Sequence, residues 1–118
     1  YDMGPFAFTD LKIQKTLPTE GYHVWHIEHS ADKASARRAF VFSIYLNDVE
    51  EGGETYFSDV NYAVKPEEAK LLMFPPHWTY PHAGNKVSKG VKYILGTYLH
   101  YIDPTPTEQD SKRIYQAP

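Results

Sequence analysis

Cysteine is absent from the 118-residue sequence, so disulfides and thiolate metal sites are excluded and the chain suits a reducing, cytoplasmic setting. No apolar run approaches the roughly 20 residues that a membrane-spanning helix requires, and no signal-peptide pattern opens the chain. An excess of one charge is also missing: the net charge is −3, with acidic and basic residues interspersed. Nothing therefore signals a nucleic-acid-binding surface. There is no internal repeat and no stretch that reads as a long helix. The chain opens on Tyr1 instead of Met, the pattern of a fragment or a trimmed chain.

What is abundant is aromatic. Ten Tyr, six Phe and two Trp bring the aromatic share to 15%, within an apolar total of 42%. Tyr, Phe and β-branched residues favour sheet over helix, and the length suits one domain with one core. Residues 1–10 read as irregular, with Gly4-Pro5 breaking any period. Leu11, Ile13 and Lys15 alternate with Lys12, Gln14 and Thr16 as a strand that ends at Pro18. Thr19-Glu20-Gly21 reads as a hairpin turn. Residues 31–38 predict a loop or a single helical turn, and 40–46 (FVFSIYL) the strongest strand. Shorter strands follow at 54–57, at 62–64 and, as a buried strand, at 70–74, with a basic turn over 85–90 and a long final strand over 91–101. Some eight short strands at regular spacing indicate a mainly β fold of the sandwich or jelly-roll kind with few or short helices. From Asp103 the composition turns polar and Pro-rich, which predicts a surface-draped or poorly ordered tail over 103–118.

The stretch from Gly21 to His29, GYHVWHIEH, is the focus of the chemistry. Read as a strand, it places Tyr22, Val24, His26 and Glu28 on one face. His26 and Glu28 can then reach a single cation. The pair alone is weak, and its plainer reading is the polar face of an exposed strand. A second histidine, His82, follows 54 residues after Glu28. Two His and one carboxylate on one face of an octahedron are the ligand set of non-haem Fe(II) oxygenases, which leaves open positions for substrate and oxygen. His23, His29, His77 and His100 read as surface or rim residues, with His77 the competitor for the third ligand position. Trp25 and Trp78 read as core or rim aromatics, and Glu50-Glu51 as a solvated turn.

The order GYHVWHIE, YLNDVEEGGETYF, KLLMFPP, PHAGN and then a Lys-bearing strand resembles the Fe(II)/2-oxoglutarate-dependent dioxygenases. Within them it is similar to the prolyl 4-hydroxylase-like branch, including its short phage and bacterial members. The resemblance runs over about residues 11–101 and implies a double-stranded β-helix over 1–102, without the N-terminal helices of longer members. It implies that His26, Glu28 and His82 hold Fe(II), and that Lys92, ten residues after His82, pairs with the distal carboxylate of 2-oxoglutarate. A carboxylate held deep in a barrel needs such a cation. Tyr45, in the YLN motif, matches a tyrosine that reaches the same carboxylate, and Thr55 a position lining the cosubstrate pocket. Gln14 and Lys15 lie near where a further cosubstrate contact is found.

The implied cofactors are Fe(II), 2-oxoglutarate and O2, with ascorbate admissible as an auxiliary. The implied reaction is hydroxylation, with peptidyl proline as one candidate substrate. Two departures stand out. The family usually carries Asp where Glu28 stands, and either Tyr22 or His23 is positioned to face the pocket, with strand parity favouring Tyr22. A cupin-like metalloenzyme is the alternative enzyme, although cupins usually present a His-x-His pair that this chain lacks. A non-catalytic jelly-roll module is the alternative of another class, although it has no need for three metal ligands.

Overall fold

The computed structural model describes residues 3–102; the tail expected over 103–118 lies outside them. Among the described residues, nine strands and one short 3-10 turn make up the regular structure. They are β1 (Phe6–Thr16), β2 (Arg38–Tyr45), β3 (Glu51–Gly52), β4 (Thr55–Phe57), β5 (Tyr62–Val64), β6 (Leu71–Phe74), β7 (His82–Gly84), β8 (Val87–Lys89) and β9 (Lys92–Tyr101). The 3-10 turn, Ser35–Arg37, falls within the expected loop or turn. Among the described residues no helix is long and apolar enough to cross a membrane.

The strands form a four-stranded sheet in the order β1-β9-β2-β6, a three-stranded sheet β5-β4-β7 and a two-stranded ribbon β3-β8. All of these pairings are antiparallel. Most pair elements distant in sequence, β1 with β9 above all, which gives the jelly-roll order of a double-stranded β-helix. The core lies between the larger and the three-stranded sheet, where Val41, Tyr45 and Phe74 meet Phe57 and Val64. Phe57 and Phe74 meet edge to face at 4.8 Å between ring centroids, a favoured aromatic geometry.

Three sequence expectations are corrected. The first strand begins at Phe6, not after residue 10, because the chain passes a β-bulge between Thr9 and Lys12. Asp10 there has φ +55, so the period-2 pattern breaks and the strand cannot be read through it. Past the bulge Lys12, Gln14 and Thr16 face the concave side, while Leu11 and Ile13 are 71% and 61% exposed on the other. Second, β6 is an edge strand, and Leu71 and Met73 are exposed on the same outer side of the sheet. Third, Gly21–His29 is not a strand. It runs irregularly across the mouth of the sandwich, tied to β7 by an antiparallel bridge between His26 and His82 and by Gly84 N–H donating to Tyr22 O at 2.7 Å. Backbone bonds join His26 N to His82 O and His82 N to His26 O, each at 3.0 Å.

Candidate metal and cosubstrate site

That bridge puts two imidazoles side by side, their ring centroids 4.2 Å apart. Glu28, two residues on, is placed by its N–H donating to Pro76 O at 2.9 Å. The carboxylate then turns Oε1 to within 3.0 Å of His26 Nε2 and 3.3 Å of His82 Nε2. Ligand atoms of all three residues lie within 4.8 Å of one another. His82 is buried, its ring packed against Phe74 and Phe57 with centroids at 4.8 and 5.8 Å. These two large rings, Phe74 on β6 and Phe57 on β4, leave that imidazole little room to turn.

The outer nitrogens fix the tautomers. His26 Nδ1 donates to Val24 O at 2.8 Å and His82 Nδ1 to Tyr80 O at 3.1 Å. A carbonyl can only accept, so each Nδ1 carries a proton and each neutral ring keeps its lone pair on Nε2. Both lone pairs then converge on a carboxylate oxygen, three electron-pair donors in one small space. Such a group is stable with a cation among its atoms or with both rings fully protonated. The donor set therefore fits a divalent transition metal, and two imidazoles with one carboxylate suit iron. Burial pushes the Glu28 carboxyl up, but with the two imidazoles protonated, hydrogen bonds from His82 and Tyr98 and the charges of His26 and His82 outweigh it and hold it at about 2. The carboxylate is anionic at any physiological pH, as a ligand must be.

A cavity of about 580 Å³ opens inward from these three residues between the sheets. Its lining includes Tyr22, Thr55 and Lys92 together with His26, Glu28 and His82. Lys92, the first residue of β9, is 7% exposed. Its ammonium donates to Gly53 O at 3.0 Å, and burial pulls its pKa down against the opposing charge of Glu54. Gly53 is at φ +76, and a Cβ there would stand 3.4 Å from Lys92 Cδ, so the glycine leaves room for the lysine stem. Tyr45 is fully buried behind the wall and reaches it through Thr55, whose Oγ1 is 2.5 Å from the Tyr45 hydroxyl. Burial pushes the Tyr45 phenol up, so it stays protonated. Tyr22 is 60% exposed at the mouth and packs edge-on against His26 at 4.5 Å. His23 lies instead beside Glu51, Glu54 and Lys86, in a shallower surface hollow.

Residues 11–100 match the sequence pattern of the 2OG-Fe(II) oxygenase superfamily. The chain belongs to that superfamily. A protein of Acanthamoeba polyphaga mimivirus, named a candidate prolyl 4-hydroxylase, is 31% identical over an alignment 106 positions long that covers 76% of this chain and 44% of that protein. The viral collagen prolyl hydroxylase of Paramecium bursaria Chlorella virus-1, solved with 2OG, superposes with a TM-score of 0.73 at 25% identity, over 84% of this chain and 62% of that one. A Pseudomonas putida prolyl-4-hydroxylase shares the fold, with a TM-score of 0.67 at 21% identity over 82% and 54% of the two chains. The chain thus spans under half of the mimivirus relative and 62% of the Chlorella-virus structure. Membership implies iron, 2-oxoglutarate and O2 as the groups this oxygenase fold uses, and the donor set at the mouth agrees.

Gln14 lines the cavity, whereas Lys15 points away, its ammonium 5.9 Å over the Tyr93 ring. His29 and His77 pair with each other at 4.7 Å, and His100 sits by Thr9, so none of the three joins the ligand cluster. Trp25 and Trp78 are 52% and 75% exposed, which excludes them from the core. Glu50 meets Lys89 at 3.3 Å in an exposed pair, as suits a solvated turn. Sequence reasoning missed Asp10, Lys12, Ser43, Arg38 and Tyr98 in the cavity wall. Tyr98 touches Glu28 across 70 residues of sequence. No spacing signals such a contact; only the pairing of β9 beside β2 brings it about.

Proposed function

We propose that this chain is the catalytic core of an Fe(II)- and 2-oxoglutarate-dependent dioxygenase of the prolyl hydroxylase kind, acting on a proline-bearing peptide. The observation that carries the reading is the convergence of His26, Glu28 and His82 with both Nδ1 atoms anchored on backbone carbonyls, at the mouth of a cavity whose wall holds a buried lysine. His26 Nε2, His82 Nε2 and a Glu28 oxygen would hold the iron. Lys92 pairs with the distal carboxylate of 2-oxoglutarate, and Thr55, backed by the Tyr45 hydroxyl, donates to the same group. The bound iron and 2-oxoglutarate together supply activation of O2, with succinate and carbon dioxide as the products of the cosubstrate. The protein contributes position and dryness: Phe74, Val41, Leu72 and Ile94 line the cavity with apolar surface and limit water. Tyr22, exposed beside His26, offers a flat aromatic surface where a prolyl ring approaches. The name of the Chlorella-virus structure supports a peptide substrate, and the cysteine-free chain suits a reducing cytoplasm.

Incubation with Fe(II), 2-oxoglutarate and proline-bearing peptides tests this reading. Succinate should form, and the peptide should gain one oxygen atom, about 16 Da. Succinate formed without any peptide gain would keep the dioxygenase and reject the peptide. No succinate under any of these conditions would reject the dioxygenase.

A further inference from the structure

Glu28 sits on the irregular stretch and carries one methylene more than aspartate. Its carboxylate nevertheless has two clearly divided oxygens. Oε1 faces the two imidazoles. Oε2 accepts the Tyr98 hydroxyl at 2.9 Å and lies 3.5 Å from Arg38 Nη1. The same Arg38 Nη1 donates to the Glu28 backbone carbonyl at 2.9 Å, so one guanidinium grips both the main chain and the side chain of this residue. The guanidinium is itself fixed, its Cζ 3.6 Å over the Tyr98 ring. Arg38 opens β2 and Tyr98 lies within β9, the two central strands of the four-stranded sheet.

We propose that Tyr98 and Arg38 are positioning residues that hold the Glu28 carboxylate so that one oxygen alone is offered to the metal, an inference that rests on the iron reading above. A glutamate free at its outer torsions would spread over several rotamers, and ordering it on metal binding would weaken that binding. The hydroxyl and guanidinium remove this freedom beforehand. They also occupy Oε2, so Glu28 ligates through Oε1 and leaves the rest of the coordination sphere to other groups. Outer partners of this kind orient ligands throughout metalloproteins. The arrangement carries a cost that folding alone does not explain: Arg38 Nε is buried without a hydrogen-bond partner among the described residues. A guanidinium retained for Glu28 accounts for it.

The test is a Co(II) titration of the full chain, read by the visible ligand-field absorption of the bound ion, in wild type, Tyr98→Phe, Glu28→Asp and the double variant. Tyr98→Phe should weaken Co(II) binding about 10–100-fold and alter the band shape, while the metal-free unfolding transition stays cooperative. In the Glu28→Asp background, where the shortened carboxylate no longer meets the hydroxyl, the same substitution should change affinity by no more than about 2-fold. Arg38→Lys, which keeps the charge and loses the fork, gives a second arm should Tyr98→Phe fold poorly; it too should weaken Co(II) binding only when Glu28 is present. Unchanged affinity in both single variants, or equal losses in the two backgrounds, would overturn the clamp and leave the iron reading standing. A wild-type chain that bound no Co(II) would overturn the iron reading, and the clamp with it.

Discussion

Replacing Lys92 with Met should separate the stability of this fold from its function. The methionine side chain fills nearly the same volume without the charge. In the wild type the ammonium sits 7% exposed, with Gly53 O as its near partner at 3.0 Å, and burial already pulls its pKa below 10.5. The charged lysine therefore costs stability until an anion arrives. Truncating one side of a desolvated charge pair typically costs about 2–5 kcal/mol in binding. That corresponds to a 2-oxoglutarate affinity lower by about 30-fold to several-thousand-fold. Calorimetric titration of the metal-loaded protein reads that change, and metal affinity itself should stay within about 2-fold because Lys92 is not a ligand. Stability should move the other way, with metal-free Lys92→Met melting at or above wild type. The pH dependence has a definite sign: a lysine whose folded pKa is depressed binds fewer protons folded than unfolded. Wild type should thus recover stability relative to Lys92→Met as pH rises from the depressed value toward 10.5. Lys86 and Lys89, both exposed, are the controls. The reasoning is refuted if Lys92→Met binds 2-oxoglutarate as wild type does, or if it loses several degrees of melting temperature while the Lys89→Met control does not.

Glu28→Asp restores the commoner family residue but withdraws the carboxylate from Tyr98 and Arg38, so metal binding should persist with altered turnover, whereas Glu28→Ala should lose most of both; iron content with a succinate assay checks this. Gly52→Ala should destabilise the chain by at least about 2 kcal/mol, because φ is +83 and the added Cβ would stand 2.2 Å from Lys86 O, a backbone atom that cannot step aside. Denaturant unfolding measures it, and a midpoint equal to wild type would show that the β3-β8 ribbon yields easily.

The cluster of His26, Glu28 and His82 was legible because its chemistry is local: His26 and Glu28 lie two residues apart, and the spacing from His82 to Lys92 is set by two short strands, β7 and β8, and the turn after each. The central strands were legible for a similar reason, since Phe40 to Tyr45 is too apolar and β-branched to be anything else. The stretch carrying His26 was misread because an extended chain that crosses a cavity mouth alternates its side chains much as a strand does. Tyr22, His26 and Glu28 do line one cavity, yet they are held to the sheets by isolated contacts, the His26–His82 bridge, Gly84 N–H to Tyr22 O and the side chains of Arg38 and Tyr98, and not by a strand ladder. Asp10 and its bulge broke the pattern of β1 where a reading by alternation has no remedy. Arg38 and Tyr98 were invisible for a different reason. Their roles depend on which strands become neighbours, and a single sequence does not print that.

The central claim is that His26, Glu28 and His82 bind iron and 2-oxoglutarate in one site, and the direct measurement is the visible charge-transfer band that Fe(II) and 2-oxoglutarate give together without oxygen. Wild type should develop the band only when both are present, and His82→Ala should not develop it at any concentration that saturates wild type. A band of equal strength in His82→Ala, or none in a wild type that binds both components, would contradict the account.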